Sequence, residues 1–238
     1  MMPAVEGGPS PHRWNQIRRL PLQPAIRTLE LYERAVMIGT LDALELLRGI
    51  DPVRALSVAD IRHVHYRIFS EVHPWAGQFR SVGQMATIGG FPTAEPYRIV
   101  RELDLALFQS AEMLAEALSA RDPQRTIAAL GFFHVRYERV HPFLDGNGRS
   151  GRAILAVQFE KLFGTLPRFT DQCGYREAMR AGNRKDLAPL INYLGGSVAV
   201  PAAAAPWLAP FQVSPRLLET AEGQPTFEED LAWSRGGC

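Results

Sequence analysis

His141-Pro-Phe-Leu-Asp-Gly-Asn-Gly-Arg-Ser-Gly-Arg152 lies between two apolar helical runs, roughly 123–139 and 147–163. Pro142 ends the first run and sets the exit angle of the chain. Phe143 is apolar and can plug into the core, pinning the turn. Gly146 and Gly148 accept backbone conformations that other residues resist, so successive N–H groups can face one side. The second helix opens at that point and adds its positive dipole end and free N–H groups. The turn is therefore a concavity suited to an anion such as phosphate. Arg149 and Arg152, three apart, share a helix face and carry forks that match phosphate oxygens. Asp145 offers a hard oxygen to Mg2+, which binds through one or two carboxylates plus substrate phosphates. His141 is the group able to take a proton near neutral pH. Base, metal ligand, anion nest and two cations within twelve residues are the parts that phosphoryl or nucleotidyl transfer requires.

Working outward, the rest of the chain reads as helices with one interruption. Leu29, Leu31, Ala35, Val36, Ile38, Leu41, Leu44 and Leu47 space out a helix over Thr28 to about Leu47. Ser57 and Asp60 form a capping box ahead of a helix over 58–72, closed by His73-Pro74. Ser81 to Thr93 holds three glycines, a proline and β-branched residues without helical period, which predicts a short hairpin turning at Gly89-Gly90. A helix follows over about 97–120, and Asp122-Pro123 caps the next. Gly164 stops the helix after the motif, and two more helices fall near 174–182 and 185–196. The fold class expected is all-α for the most part: a helical bundle with a small β-hairpin. Its domain spans 27–200, between a partly disordered N-terminal tail (1–26) and an Ala/Pro-rich C-terminal tail (201–238).

Composition narrows the function classes. The 238 residues carry a formal net charge of +1, and the 26 basic residues are interleaved with 25 acidic ones. That balance makes no electrostatic case for nucleic acid or a membrane surface as partner. Residues 1–20 lack the apolar core of a signal peptide, and no apolar run nears about 18 residues. Two cysteines, Cys173 and Cys238, make no disulfide framework, so a cytoplasmic setting is expected, with translocation as an effector left open. The string is neither a Walker A loop nor a dinucleotide fingerprint, since no Gly-Lys-Ser/Thr follows and no strand precedes it.

HPFLDGNGRSGR resembles the signature of the Fic family, His-Pro-Phe-x-(Asp/Glu)-Gly-Asn-Gly-Arg-x-x-Arg, at every fixed position. Trp75-Ala-Gly-Gln-Phe-Arg80 is similar to the Trp-Ala-Gly-x-x-Arg segment that precedes the family's hairpin flap, and the resemblance runs over roughly 28–196. It implies a Fic-type helical bundle and protein adenylylation: His141 would deprotonate a Ser, Thr or Tyr hydroxyl of a target protein, which would attack the α-phosphorus of ATP and release pyrophosphate. Asp145 would hold Mg2+ across the α- and β-phosphates. Gly146, Asn147 and Gly148 would line the anion hole, Arg149 would contact the β-phosphate and Arg152 the γ-phosphate, with Phe143 anchoring this ATP-binding loop. The flap, through Thr87, Ile88, Gly89 and Gly90, would receive an extended segment of the target by strand addition.

Many family members are restrained by a helix bearing Ser/Thr-x-x-x-Glu-Gly/Asn. No Glu in this chain has Ser or Thr four positions earlier, so a separate antitoxin carrying that helix is expected to occlude Arg152. Phosphorylation by a Doc-like member is the neighbouring reading, but those members carry Lys where this chain has Gly148. Transfer of another nucleotide group on the same fold stays open, as does a regulatory module that binds nucleotide or partner without catalysis. His63 and His65 face different directions on a helix and make a poor metal pair. His73 reads as a helix-end cap, His134 as packing, and Trp75 and Arg80 as support for the base of the hairpin.

Overall fold

In the computed structural model of the chain, the described residues are 11–50, 56–84, 86–88, 91–169 and 171–198. They are mostly helical: α1 (Pro11–Ile17), α2 (Leu29–Arg48), α3 (Val58–Phe69), α4 (Ile99–Ser119), α5 (Pro123–Val140), α6 (Asn147–Phe163), α7 (Gln172–Gly182) and α8 (Ala188–Gly195). A single turn of 3-10 helix, Pro96–Arg98, leads into α4, so the α-helix there starts two residues later than expected. Between α3 and α4, β1 (Thr87–Ile88) pairs antiparallel with β2 (Phe91–Pro92). Gly89, Gly90 and the Ala/Pro-rich stretch 201–238 lie outside the described residues.

Local chemistry sets the helix starts. The Ser57 hydroxyl accepts from the Asp60 N–H at 3.1 Å and the Asp60 carboxylate accepts from the Ser57 N–H at 2.7 Å, the reciprocal capping expected for α3. α3 stops at Phe69 rather than residue 72, because the chain tightens into turns in which His73 N–H bonds Phe69 C=O. Asp122 caps α5 through the Arg125 N–H, with Pro123 in the first turn where its missing N–H costs nothing. Gly164 closes α6 at φ 69°.

α5 is the axis of the bundle. Fourteen of its residues are buried, from Thr126 to Val140, because α4, α6, α7 and α8 all pack on it. One core forms around α2, α3, the start of α4 and the facing ends of α5 and α6; a second joins α5, α6, α7 and α8. The α2 seam is Leu29, Tyr32, Val36, Gly39, Ala43 and Leu47. Leu31, Ile38 and Leu41, apolar positions that marked the helix in sequence, face outward instead. Gly39 is required by a close approach: a β-carbon there would meet the Arg67 and Ile68 carbonyls of α3 at 2.4 and 2.6 Å.

The stretch 11–26, expected within a tail, is tied to the domain. Ile17 is buried in the first core and Trp14, Leu22 and Ile26 pack against it. Gln23 N–H donates to Val72 C=O at 2.9 Å and its side-chain amide to Ser70 C=O at 3.2 Å. The low apolar content of this stretch hides those few anchors.

Candidate active site

The motif turn is built from its two helix ends. α5 terminates at His141, whose backbone is left-handed (φ 48°, ψ 62°) while its N–H still bonds Tyr137 C=O. A non-glycine residue held there is uncommon and requires surrounding contacts to fix it. Two residues on, Phe143 is fully buried, which stabilises the turn by about 1.5–3 kcal/mol on transfer grounds. Asn147, the first residue of α6, clasps it: its side-chain oxygen accepts from the Phe143 N–H and its NH2 donates to the Phe143 C=O, both at 2.9 Å. The Asn147 amide is thus committed to the loop, and what it can offer an anion is its main-chain N–H. Gly146 takes φ 82°, and a β-carbon on it would lie 2.4 Å from the Phe69 ring. The turn and the first turn of α6 thereby leave N–H groups that no carbonyl of the same helix can satisfy.

Ser150 and Tyr137 lock this geometry from below. The Ser150 hydroxyl donates toward the Gly146 and Asn147 carbonyls, each at 3.0 Å, so the Tyr137 hydroxyl, 2.6 Å away, donates to it. A buried hydroxyl with both roles filled fixes α6 against α5.

His141 is 4 % exposed, and its imidazole pKa is pushed down to about 3 by burial first and by the Arg80 charge second; Asp145 and the Glu138 backbone carbonyl oppose this. The ring is therefore neutral at physiological pH, the form a proton acceptor needs. Arg80 is the strut behind it. Its Nε donates to His141 C=O at 2.6 Å, Nη1 to Gln84 C=O at 2.6 Å, and Nη2 to Thr93 Oγ1, Ala94 C=O and Val140 C=O at 3.1, 2.9 and 3.3 Å. Its own N–H donates to Pro142 C=O at 2.9 Å. One buried guanidinium joins both feet of the β1–β2 ladder to the residue that ends α5.

His65 makes a second tie that its sequence surroundings do not announce. Gly77 N–H donates to its Nδ1 at 2.9 Å, so Nε2 carries the proton and donates to Asp145 C=O, also at 2.9 Å. The ring stacks on Phe143 with centroids 3.7 Å apart and planes at 19°. Burial holds it neutral, with the pKa pushed down to about 3. His65 is core-satisfied and His63 exposed, as their spacing implied. Trp75 stacks on His73 at 4.3 Å, and His134 Nε2 lies 2.6 Å from the Tyr175 hydroxyl.

Asp145 is half-buried in the turn, and Arg149 and Arg152 are half-buried in the first and second turns of α6. Arg149 Nη1 donates to the Tyr32 hydroxyl at 3.1 Å. Among the described residues no three His, Cys, Asp or Glu side chains cluster to make a self-sufficient metal cage. The Asp145 carboxylate suits a hard cation such as Mg2+, which takes its other ligands from phosphate and water. Among the described residues, no helix is long and apolar enough to cross a membrane.

A helical bundle with a glycine turn at the start of α6 and a buried neutral imidazole at the helix junction narrows the class, and comparison points to a family. Residues 55–159 match the model of the Fic/DOC family. A curated relative, the protein adenylyltransferase Fic of Nematostella vectensis, is 25 % identical over 177 residues, covering 71 % of this chain and 39 % of the relative. The chain thus spans well under half the length of that relative. A Fic domain containing signaling protein from Bacteroides thetaiotaomicron shares the fold with a TM-score of 0.58 at 20 % identity, over 72 % of this chain and 71 % of that one. BepC of Bartonella tribocorum, solved with bound AMPPNP, superposes with a TM-score of 0.54 at 18 % identity, over 75 % of this chain and 91 % of that one.

Proposed function

We propose that this chain is a protein adenylyltransferase, moving AMP from ATP to a Ser, Thr or Tyr hydroxyl of a target protein. The observation that carries the reading is the junction of α5 and α6: a neutral imidazole, His141, fixed at the rim of a glycine turn that presents helix N–H groups, Asp145 and two guanidinium groups. His141 accepts the proton of the target hydroxyl. The oxygen then bonds to the α-phosphorus as the bond to the pyrophosphate oxygen breaks. The N–H groups of the turn and the first turn of α6 take up charge on the phosphate oxygens, Arg149 faces the β-phosphate and Arg152 the γ-phosphate. Mg2+, held by Asp145 and the phosphates, would offset charge on the leaving pyrophosphate. The match to the Fic/DOC family model and a relative named as an adenylyltransferase support the same reading.

The β1–β2 ladder supports target docking by strand addition. Arg80 connects its feet to His141, so the docked segment and the base would share one frame. Restraint by a separate antitoxin helix, whose glutamate would pair with Arg152, belongs to the same proposal. Purified chain that is inactive with Arg152 covered by its own residues would remove it.

The test is incubation of the chain with Mg2+, a panel of lysates and ATP labelled at either the α- or the γ-phosphate. Protein-bound label from the α position is the expected result. Label from γ would instead make it a kinase, against the glycine at position 148, and label from neither would reduce it to a binding module.

A further inference from the structure

Arg149 is held in part by Tyr32, which precedes the family match. Its Nη1 bonds the Tyr32 hydroxyl at 3.1 Å, and its guanidinium carbon lies 5.7 Å from the Tyr32 ring and 5.6 Å from the Phe69 ring. Stacking over two ring faces restricts where that fork can point. Tyr32 has no exposed surface. Its hydroxyl is 3.4 Å from His73 Nε2, and His73 Nδ1 is 3.0 Å from the Pro21 carbonyl. A carbonyl only accepts, so Nδ1 carries the proton and Nε2 is the acceptor. Tyr32 must then donate to His73, which turns its lone pairs toward Arg149. The order of donation is Arg149 to Tyr32 to His73 to the Pro21 carbonyl. Trp75 stacks on the His73 ring with centroids 4.3 Å apart, which restricts how that ring can turn.

We propose that Tyr32, oriented by His73 and the Pro21 carbonyl, is a positioning residue that aims Arg149 at the β-phosphate of the nucleotide. The segment before α2 and α2 itself then belong to the nucleotide site, although the family match begins at residue 55. This inference rests on the nucleotide site proposed above. Its specific consequence is discrimination by phosphate number: AMP has no β-phosphate and is indifferent to Tyr32, whereas ADP and ATP depend on it.

Titration calorimetry of the full chain with AMP, ADP and ATP in Mg2+ tests it, using Tyr32→Phe, His73→Leu, His73→Gln and, as control, Arg149→Ala. Tyr32→Phe removes one oxygen and keeps the core ring, so the fold is spared. It is expected to weaken ADP and ATP roughly tenfold, the scale of one hydrogen bond to a charged group, while leaving AMP within about twofold. His73→Leu should weaken the same two ligands, and His73→Gln should restore them, because its amide oxygen can stand where Nε2 accepts. Equal loss for all three nucleotides, unchanged binding in Tyr32→Phe, or His73→Gln no better than His73→Leu would overturn the proposal. If those results come with Arg149→Ala still losing ADP and ATP, the nucleotide site survives. A wild-type chain that binds none of the three would overturn both.

Discussion

Replacing Gly146 by alanine strikes the turn at its tightest point. The new methyl carbon would lie 2.4 Å from Cε2 and Cζ of Phe69 and 3.2 Å from His65 Nε2. Ordinary carbon contacts need about 3.5–4.0 Å, so the Phe69 ring would have to retreat by about 1 Å. It has little room to do so: Phe69 is fully buried, with the His65 ring centroid 4.6 Å away and His65 itself pinned between Gly77 and Asp145. Overpacking of this kind costs about 1–3 kcal/mol. The backbone at φ 82° adds about 1–2 kcal/mol once a β-carbon is present. The total expected for Gly146→Ala is therefore about 2–5 kcal/mol of folding stability, or a fall of about 1–2.5 M in the urea midpoint at a slope of about 2 kcal/mol/M. Urea unfolding followed by circular dichroism reads this directly. Phe69→Leu in the same background should recover part of the loss, giving a coupling energy in a double-mutant cycle. An unchanged midpoint for Gly146→Ala, or strict additivity with Phe69→Leu, would refute the close approach of α3 to the turn.

Two other outcomes are expected. Arg80→Lys keeps the charge but loses the fork that reaches five acceptors; stability should fall by about 2–3 kcal/mol and transfer should slow, since His141 is held through that side chain, as unfolding curves and initial rates would record. Acid should unfold the protein early: His65, His134 and His141 have folded pKa values near 3 against 6.5 when free, so the unfolded chain binds protons that the folded one refuses. Stability is full above about pH 6.5 and drains as pH falls toward 3, by up to about 1.4 kcal/mol per pH unit for each ring. A urea midpoint flat from pH 7 to pH 4 would contradict this.

What the sequence discloses here is what is local. The turn from His141 to Arg152, the capping box at Ser57 and Asp60, and the Asp122-Pro123 start of α5 are each specified within a few residues, and the helices fall where those signals put them. On α2 the spacing marked the helix but not its buried seam: Leu31 and Leu41 face outward, while the glycine at position 39 and the alanine at 43 lie on the seam. The ties that aim the site were not legible at all. His65 reaches Asp145 across 80 positions, Arg149 reaches Tyr32 across 117, and His73 reaches Pro21 across 52. His65 reads as a poor metal pair with His63 and His73 as a helix-end cap, and only folding reveals the partner of each. Pro21 and Gln23 show the same limit at the N-terminal side, where a few backbone bonds hold a stretch that composition describes as loose.

The proposed chemistry depends most on the neutral imidazole at the end of α5 accepting a hydroxyl proton beside a bound triphosphate. Transfer of α-phosphate label from ATP to protein by the wild-type chain and by His141→Ala, measured side by side with matched folding and nucleotide affinity, tests it most directly. Label on protein with wild type and none above background with His141→Ala is the predicted result. Equal labelling by the two would contradict it.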